Sequence, residues 1–142
     1  MKIYELLHMH GTDTLPDGRF HYGDTSMLGF FTSCSGVQAA IAQYRDIPGF
    51  RDYPNGFVVF EHQIEDTEHV YLAEFYAHDP EFEFEFVKSL GIFVNERDAD
   101  RALERFKQNN AEIWADDHLI VELTVDSYWL DEMHCTHGFD VE

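Results

Sequence analysis

The sequence predicts an α+β protein built from an internally duplicated β-β-α-β unit, with about six mainly antiparallel strands and two helices packed on one face. Three observations carry that prediction. Leu28-Gly29-Phe30-Phe31 is echoed by Leu90-Gly91-Ile92-Phe93, at an offset of 62 residues. At the same offset Val37, Ala40, Ile41 and Tyr44 fall on Ala99, Ala102, Leu103 and Phe106, and both sets have the i, i+3, i+4, i+7 spacing of one buried helix face. The segments flanking these helices are short apolar or alternating runs bounded by Pro, Gly, Asn and Asp, as strands and turns are.

In chain order, residues 3–10 (IYELLHMH) read as the first strand, and residues 11–26 as a polar loop around a Pro16-Asp17-Gly18 turn. Residues 27–32 form a short apolar strand. Ser33 then suits an N-cap, and Asn95 stands at the same place in the second copy with the same chemistry. Ser35 with Gln38 is a competing capping box one turn away. The first helix extends to about Asp46, stopped by Pro48-Gly49. After a Pro54-Asn55-Gly56 turn, residues 58–64 make a strand. The link Glu65–His69 is short enough to predict that the strands on either side of it pair antiparallel. Residues 70–78 repeat the part of strand one, and Asp79-Pro80 ends them. Residues 81–87 alternate strictly, with Phe82, Phe84 and Phe86 on one face and Glu81, Glu83 and Glu85 on the other. A second helix spans about Glu96 to Gln108, its Arg97, Arg101 and Arg105 forming a solvated i, i+4 ladder. Residues 118–125 close the copy. The expected organisation is a single domain over residues 1–142, with copy one at 3–65, copy two at 70–126 and an acidic tail at 127–142.

Charge is the abnormal property of this composition. Nine basic residues against 28 acidic ones give a formal net charge of −19 in 142 residues. No Lys or Arg occurs between Arg51 and Lys88, nor anywhere after Lys107. Residues 1–69 hold ten acids against four bases, and residues 70–142 hold eighteen against five. Such a field repels nucleic acid and anionic membrane and draws in a basic partner. Solubility alone is the plainer account of the same acids. The 13 Phe and 7 Tyr argue for a packed core rather than disorder. No apolar run is long enough to span a bilayer and no leader pattern opens the chain, so a cytoplasmic location is expected. Two cysteines in unrelated contexts do not indicate a disulfide framework.

Gly29-Phe30-Phe31-Thr32-Ser33, Ala39-Ala40-Ile41, Tyr44 and Ile47-Pro48-Gly49-Phe50-Arg51-Asp52-Tyr53-Pro54-Asn55-Gly56-Phe57 together resemble a small bacterial module. Its members enter an Ala-rich helix from a strand and close with a Pro-Gly-Phe…Pro-x-Gly-Phe connection. Some are uncharacterised, and some are similar to immunity proteins encoded beside polymorphic or contact-dependent toxins. The match covers some thirty residues of the first copy, while the second copy has Asn109-Asn110-Ala111 where the Pro-Gly elements would stand. The shared residues are turns, a cap and core aromatics, so the resemblance implies a fold and transfers no catalytic residue.

Candidate chemistry is sparse. Cys34 sits at the start of the first helix, where the dipole favours a thiolate, and His62 or His21 would have to fold beside it. Glu96 occupies the equivalent place in the second copy, so no duplicated nucleophile exists. His8 with His10, and His134, Cys135 and His137, are zinc-type donors without a recognised metal-site spacing. Neither Asp116-Asp117 nor Glu65-Asp66 has the pattern of a calcium loop. No catalytic residue, metal or cofactor is expected. The acids with aromatics beside them are the best candidate surface: Glu81, Glu83, Glu85, Asp116, Asp117, Glu122, Asp126, Tyr128, Asp131 and Glu132, with Trp114 and Trp129 as anchors or core residues. The expectation is an immunity or inhibitor protein that neutralises a basic partner, a toxin nuclease domain. The alternative is a small-molecule-binding or regulatory module, without catalysis, using a cleft between the copies.

Overall fold

The computed structural model describes residues 1–9, 20–21, 25–81 and 84–139. Its elements are β1 (Lys2–Met9), β2 (Phe20–His21), β3 (Thr25–Phe31), α1 (Cys34–Tyr44), β4 (Phe57–Gln63), β5 (His69–Asp79), β6 (Phe84–Phe93), α2 (Glu96–Asn109), α3 (Ala111–Trp114) and β7 (Ile120–Trp129), with a 3₁₀ turn at Phe50–Asp52. The class is α+β, as expected. The strand order is β3-β1-β4 in one sheet and β2-β6-β5-β7 in the other. Setting aside the two-residue β2, both copies therefore place their first strand in the centre, the second on one side and the third on the other. That shared order is the duplication, seen as hydrogen bonding.

The Leu-Gly-x-Phe echo is a bulge motif. Leu6 opposes Gly29 and Leu7 opposes Met27, which leaves Leu28 as the extra residue of β3. Ala73 opposes Gly91 and Glu74 opposes Ser89, which leaves Leu90 as the extra residue of β6. A bulge bends its strand and re-aims a side chain. Here it lets Leu28 join Phe31 in one core cluster and Leu90 pack on the other. The following glycine has φ +152° in the first copy and +138° in the second, a region closed to residues with a Cβ. The Phe two residues on lays its ring over that glycine in both copies, replacing the side chain the strand lacks.

The two long helices, α1 and α2, begin at the expected caps. Ser33 Oγ accepts the N–H of Gly36 at 3.0 Å, so the Ser33 boundary holds over the Ser35 alternative. Asn95 Oδ1 accepts the N–H of Asp98 at 2.9 Å. The α1 stripe of Val37, Ala40, Ile41 and Tyr44 is buried with Leu6, Leu28, Phe31 and Phe50. The α2 stripe is looser: Ala99 is buried, while Ala102, Leu103 and Phe106 are half-buried. Phe106, Ile113, Trp114, Val121 and Leu123 pack on Phe75 and Ala77 of β5. Burying a side chain such as Ile41 or Phe75 contributes about 1.5–3 kcal/mol.

Two expectations need correction. β4 and β5 do not pair across Glu65–His69. β4 is hydrogen-bonded along its whole length to β1, and both sides of β5 are occupied by β6 and β7, so the link starts a new sheet. The described residues gather accordingly into two compact units, residues 1–9, 25–68 and 128–139 in the first and residues 20–21, 69–81 and 84–127 in the second. The alternating run at residues 81–87 does not start a strand at Glu81. β5 reaches Asp79, which opposes Phe84, and Glu81 lies in the turn after Asp79, whose carboxylate accepts the Glu81 N–H at 3.0 Å. Residues 128–139 belong to the acidic tail. They return to the first unit, as described next.

Candidate functional site

The candidate surface residues separate into three groups. In the β5–β6 hairpin, Glu81 is exposed in the turn. Glu83 lies outside the described residues. Glu85, half-buried on β6, opposes His78, whose Nε2 is 4.0 Å from its carboxylate. The Glu81/Glu83/Glu85 row expected on one strand face is thus not assembled at Glu81.

The second group runs through α3 and β7. Asn110 caps the end of α2 by donating from Nδ2 to the Phe106 carbonyl at 2.8 Å, and α3 follows directly. Asp116 then makes an Asx turn, its Oδ1 accepting the His118 N–H at 2.9 Å, which aims the chain into β7. Val121 and Leu123 pack towards the α2 core, so period-two alternation sends Ile120, Glu122 and Asp126 the other way. Glu112, Asp116, Asp117, Glu122 and Asp126 are all exposed, and Ile120 is 56% exposed among them. Trp114 is not an anchor: its ring packs on Phe75 and Phe106, both at 6.0 Å. Trp129 is 56% exposed.

The acids of α2 do not add to this surface. Glu96, Asp98, Asp100 and Glu104 alternate with Arg97, Arg101, Arg105 and Lys107 on the same helix, and Arg101 lies 3.9 Å from Asp98. The open depression between Glu96, Arg97, Asp100, Arg101 and Glu104 is the solvated ladder itself. On this surface the uncompensated negative charge comes from the residues after Lys107.

The third group, Tyr128, Asp131 and Glu132, serves the first unit's own packing. Tyr128 stacks at a tilt on Phe30, 5.2 Å away, and edge-on to His134 at 5.0 Å. Asp131 accepts the Thr32 N–H at 2.9 Å and the Thr32 hydroxyl at 2.8 Å, tying the segment to the entrance of α1. The Glu132 carboxylate is exposed, but its carbonyl would sit 2.6 Å from any Cβ at Gly29. Tyr44, wholly buried, donates its hydroxyl to the carbonyls of Leu28 and His134. Burial pushes that phenol up to about 12. Phe139 closes the segment against Phe50 at 5.1 Å and His8 at 5.9 Å.

The donors weighed for chemistry have other occupations. His8 is fully buried among Phe50, Phe57, Tyr53 and Phe139, and donates from Nε2 to the Tyr53 carbonyl at 2.9 Å. Gly56 is obligatory beside it, because a Cβ there would meet Nε2 at 2.6 Å. His10 lies outside the described residues. Cys34 is exposed at the first residue of α1. His62 is not its partner, since His62 Nε2 is held by the buried Glu5 carboxylate at 2.8 Å. Cys135 is free, its Sγ 3.4 Å from the Met27 carbonyl, and burial raises its pKa. Among the described residues, no three His, Cys, Asp or Glu side chains converge as metal ligands would. No helix there is long and apolar enough to cross a membrane.

The His8 box, the Asp131 clamp and the Leu-Gly bulges escaped the sequence. Only the bulges left a signal, in the repeated Leu-Gly-x-Phe. Compared with family models, curated proteins and solved structures, the chain matches none of them.

Proposed function

We propose that this chain is an immunity-type inhibitor that binds and neutralises a basic protein partner, a bacterial toxin nuclease domain. The observation that carries the reading is the run from Glu112 to Asp126, in which exposed carboxylates surround an exposed Ile120 and no Lys or Arg follows Lys107. An acidic surface of this kind raises the encounter rate with a cationic partner and occupies the cleft that nucleic acid would otherwise fill. Ile120 gives it an apolar point of contact at the start of β7. The resemblance of residues 29–57 to a module found among immunity proteins points the same way and contributes the scaffold. Binding, not catalysis, carries the activity in this reading, and it takes place in the cytoplasm.

The test is association with the product of the neighbouring gene, followed kinetically at about 20 and 500 mM salt, with survival of cells expressing that product as the biological readout. Screening by salt is expected to slow association on the order of tenfold or more. Replacing Asp116 and Asp117 by Asn, Glu122 by Gln and Asp126 by Asn together is expected to do the same at low salt without moving the melting temperature. Salt-independent binding, or no protection of the cells, refutes the proposal.

A further inference from the structure

Antiparallel pairing decides which backbone groups of β4 face its neighbour and which face away. Ile64 donates its N–H to the Met1 carbonyl at 2.8 Å, the Met1 amino group donates back to the Ile64 carbonyl, and Met9 donates to the Gly56 carbonyl at 2.8 Å. Hydrogen-bonded pairs recur at every second residue of such a ladder. With the register Ile3↔His62, Glu5↔Phe60 and Leu7↔Val58, the residues bonding inward are Gly56, Val58, Phe60, His62 and Ile64. Phe57, Val59, Glu61 and Gln63 therefore turn their N–H and C=O groups out of the sheet. β4 is the terminal strand, and among the described residues no backbone group meets that outer row.

The opposite edge of the same sheet is treated differently. The Phe30 carbonyl of β3 accepts the Asp131 N–H at 2.7 Å, the Leu28 carbonyl accepts the His134 N–H at 2.8 Å, and Cys135 Sγ reaches the Met27 carbonyl. Among the described residues, β3 is covered and β4 is open. Natural edges are blunted by Pro, Lys, bulges or inward charges. β4 has no Pro, no Lys or Arg and an unbroken register with β1. Val59 and Phe60, on opposite faces of the strand, are 41% and 40% exposed.

Charge selects the occupant. A second copy would bring a net charge of −19 against its own equal. β4 leads directly into the exposed Glu65, Asp66 and Glu68, within the stretch free of Lys and Arg from 52 to 87. Lys2 is already engaged by Glu61 at 3.0 Å, and the terminal ammonium by Asp66 at 3.6 Å. A strand arriving antiparallel sets its N-terminal end beside those acids. We infer that β4 is a strand-addition site for an extended segment of a partner protein, running antiparallel to β4, apolar at alternate positions and with Lys or Arg at its N-terminal end. Main-chain bonds supply the affinity, the Val59 surface selects the apolar alternate side chains, whose residues also turn their N–H groups to β4, and Glu65–Glu68 set the direction. The site lies on the first unit and uses none of the α3–β7 acids, so it stands apart from the inhibitor reading.

The experiment is amide hydrogen exchange by NMR on the full chain, with a blocked peptide Lys-Lys-Arg-Thr-Val-Thr-Val-Thr and its reversed sequence as probes. With the first peptide, the amides of Phe57, Val59, Glu61 and Gln63 are expected to gain about tenfold protection or more, while Val58, Phe60 and His62, already bonded to β1, stay unchanged. The reversed peptide should protect the four amides much less. Val59→Pro removes an outward N–H without touching the β1 ladder, so it should keep the melting temperature and lose the effect. A peptide N-methylated at both valines, tested on the unaltered chain, should lose it as well. No protection by the first peptide, equal protection by both directions, or protection spread evenly over both sets of amides overturns the proposal. So does protection of the four amides that rises with protein concentration alone, which would assign the edge to a second copy.

Discussion

Tyr44→Phe removes a single hydroxyl from the centre of the first unit, and its cost can be worked from the contacts. The Leu28 carbonyl, 3.1 Å from the hydroxyl, keeps a partner because it also accepts the His134 N–H at 2.8 Å. The His134 carbonyl loses the donor the structure gives it. A net hydrogen bond contributes about 0.5–1.5 kcal/mol and an orphaned buried acceptor costs about 1–3 kcal/mol, so this part-buried carbonyl places the loss at about 1–2 kcal/mol at neutral pH. The ring, 5.3 Å from Phe50, remains in place. pH separates the hydroxyl from the ring. Burial holds the folded phenol at about 12, against about 10 in an unfolded chain. The folded state therefore grips the proton more tightly, and this contribution is full below about pH 10 and lost as pH rises through about 12. Urea unfolding of both proteins, followed by fluorescence from pH 8 to 11.5, should show the wild type ahead by about 1–2 kcal/mol at pH 8, with the gap closing above pH 10. A gap that stays constant across that range refutes the buried hydroxyl.

Gly29→Ala and Gly91→Ala test the bulge motif. Both impose a Cβ at strongly positive φ, about 1–3 kcal/mol, but only Gly29 also faces a main-chain oxygen, that of Glu132, so its melting temperature should fall further. Ser33→Ala and Asn95→Ala should each cost about 1 kcal/mol in denaturant unfolding, as lost N-caps do, with Ser33→Gly nearly silent. Asp131→Ala should destabilise by about 1–3 kcal/mol through the lost Thr32 bonds, yet leave the association rate with a basic partner little changed. An Asp131→Ala protein that melts normally but binds slowly would reverse the assignment.

Much of the fold was legible because local and tertiary demands agree. The helix stripes, the Ser33 and Asn95 caps and the Leu-Gly-x-Phe pair each serve propensity and packing at once. Strand partnership was not legible. The shortness of residues 65–69 argues for a hairpin, but β1 had already taken the whole of β4, and only the complete set of pairings reveals that. The alternation at Glu81–Glu85 misled for a similar reason, since the Asp79 turn decides where β6 begins. Of the candidate surface, Asp116, Asp117, Glu122 and Asp126 are exposed as expected. Tyr128 and Asp131 are used internally, because a carboxylate that clamps a helix entrance 99 residues away looks in sequence like any other acid.

The return of residues 128–139 to the first unit has a consequence for the order of events on the ribosome. A tandem duplication ordinarily allows the first copy to be finished and folded before the second is translated. Here the acceptors on β3, the hydroxyl of Tyr44 and the carbonyl of Pro48 wait for partners that emerge only after the whole of β5 to β7 has been made. The first unit therefore cannot be completed before the second has been translated, and a nascent chain stalled between them exposes the β3 edge that Asp131 and His134 later seal.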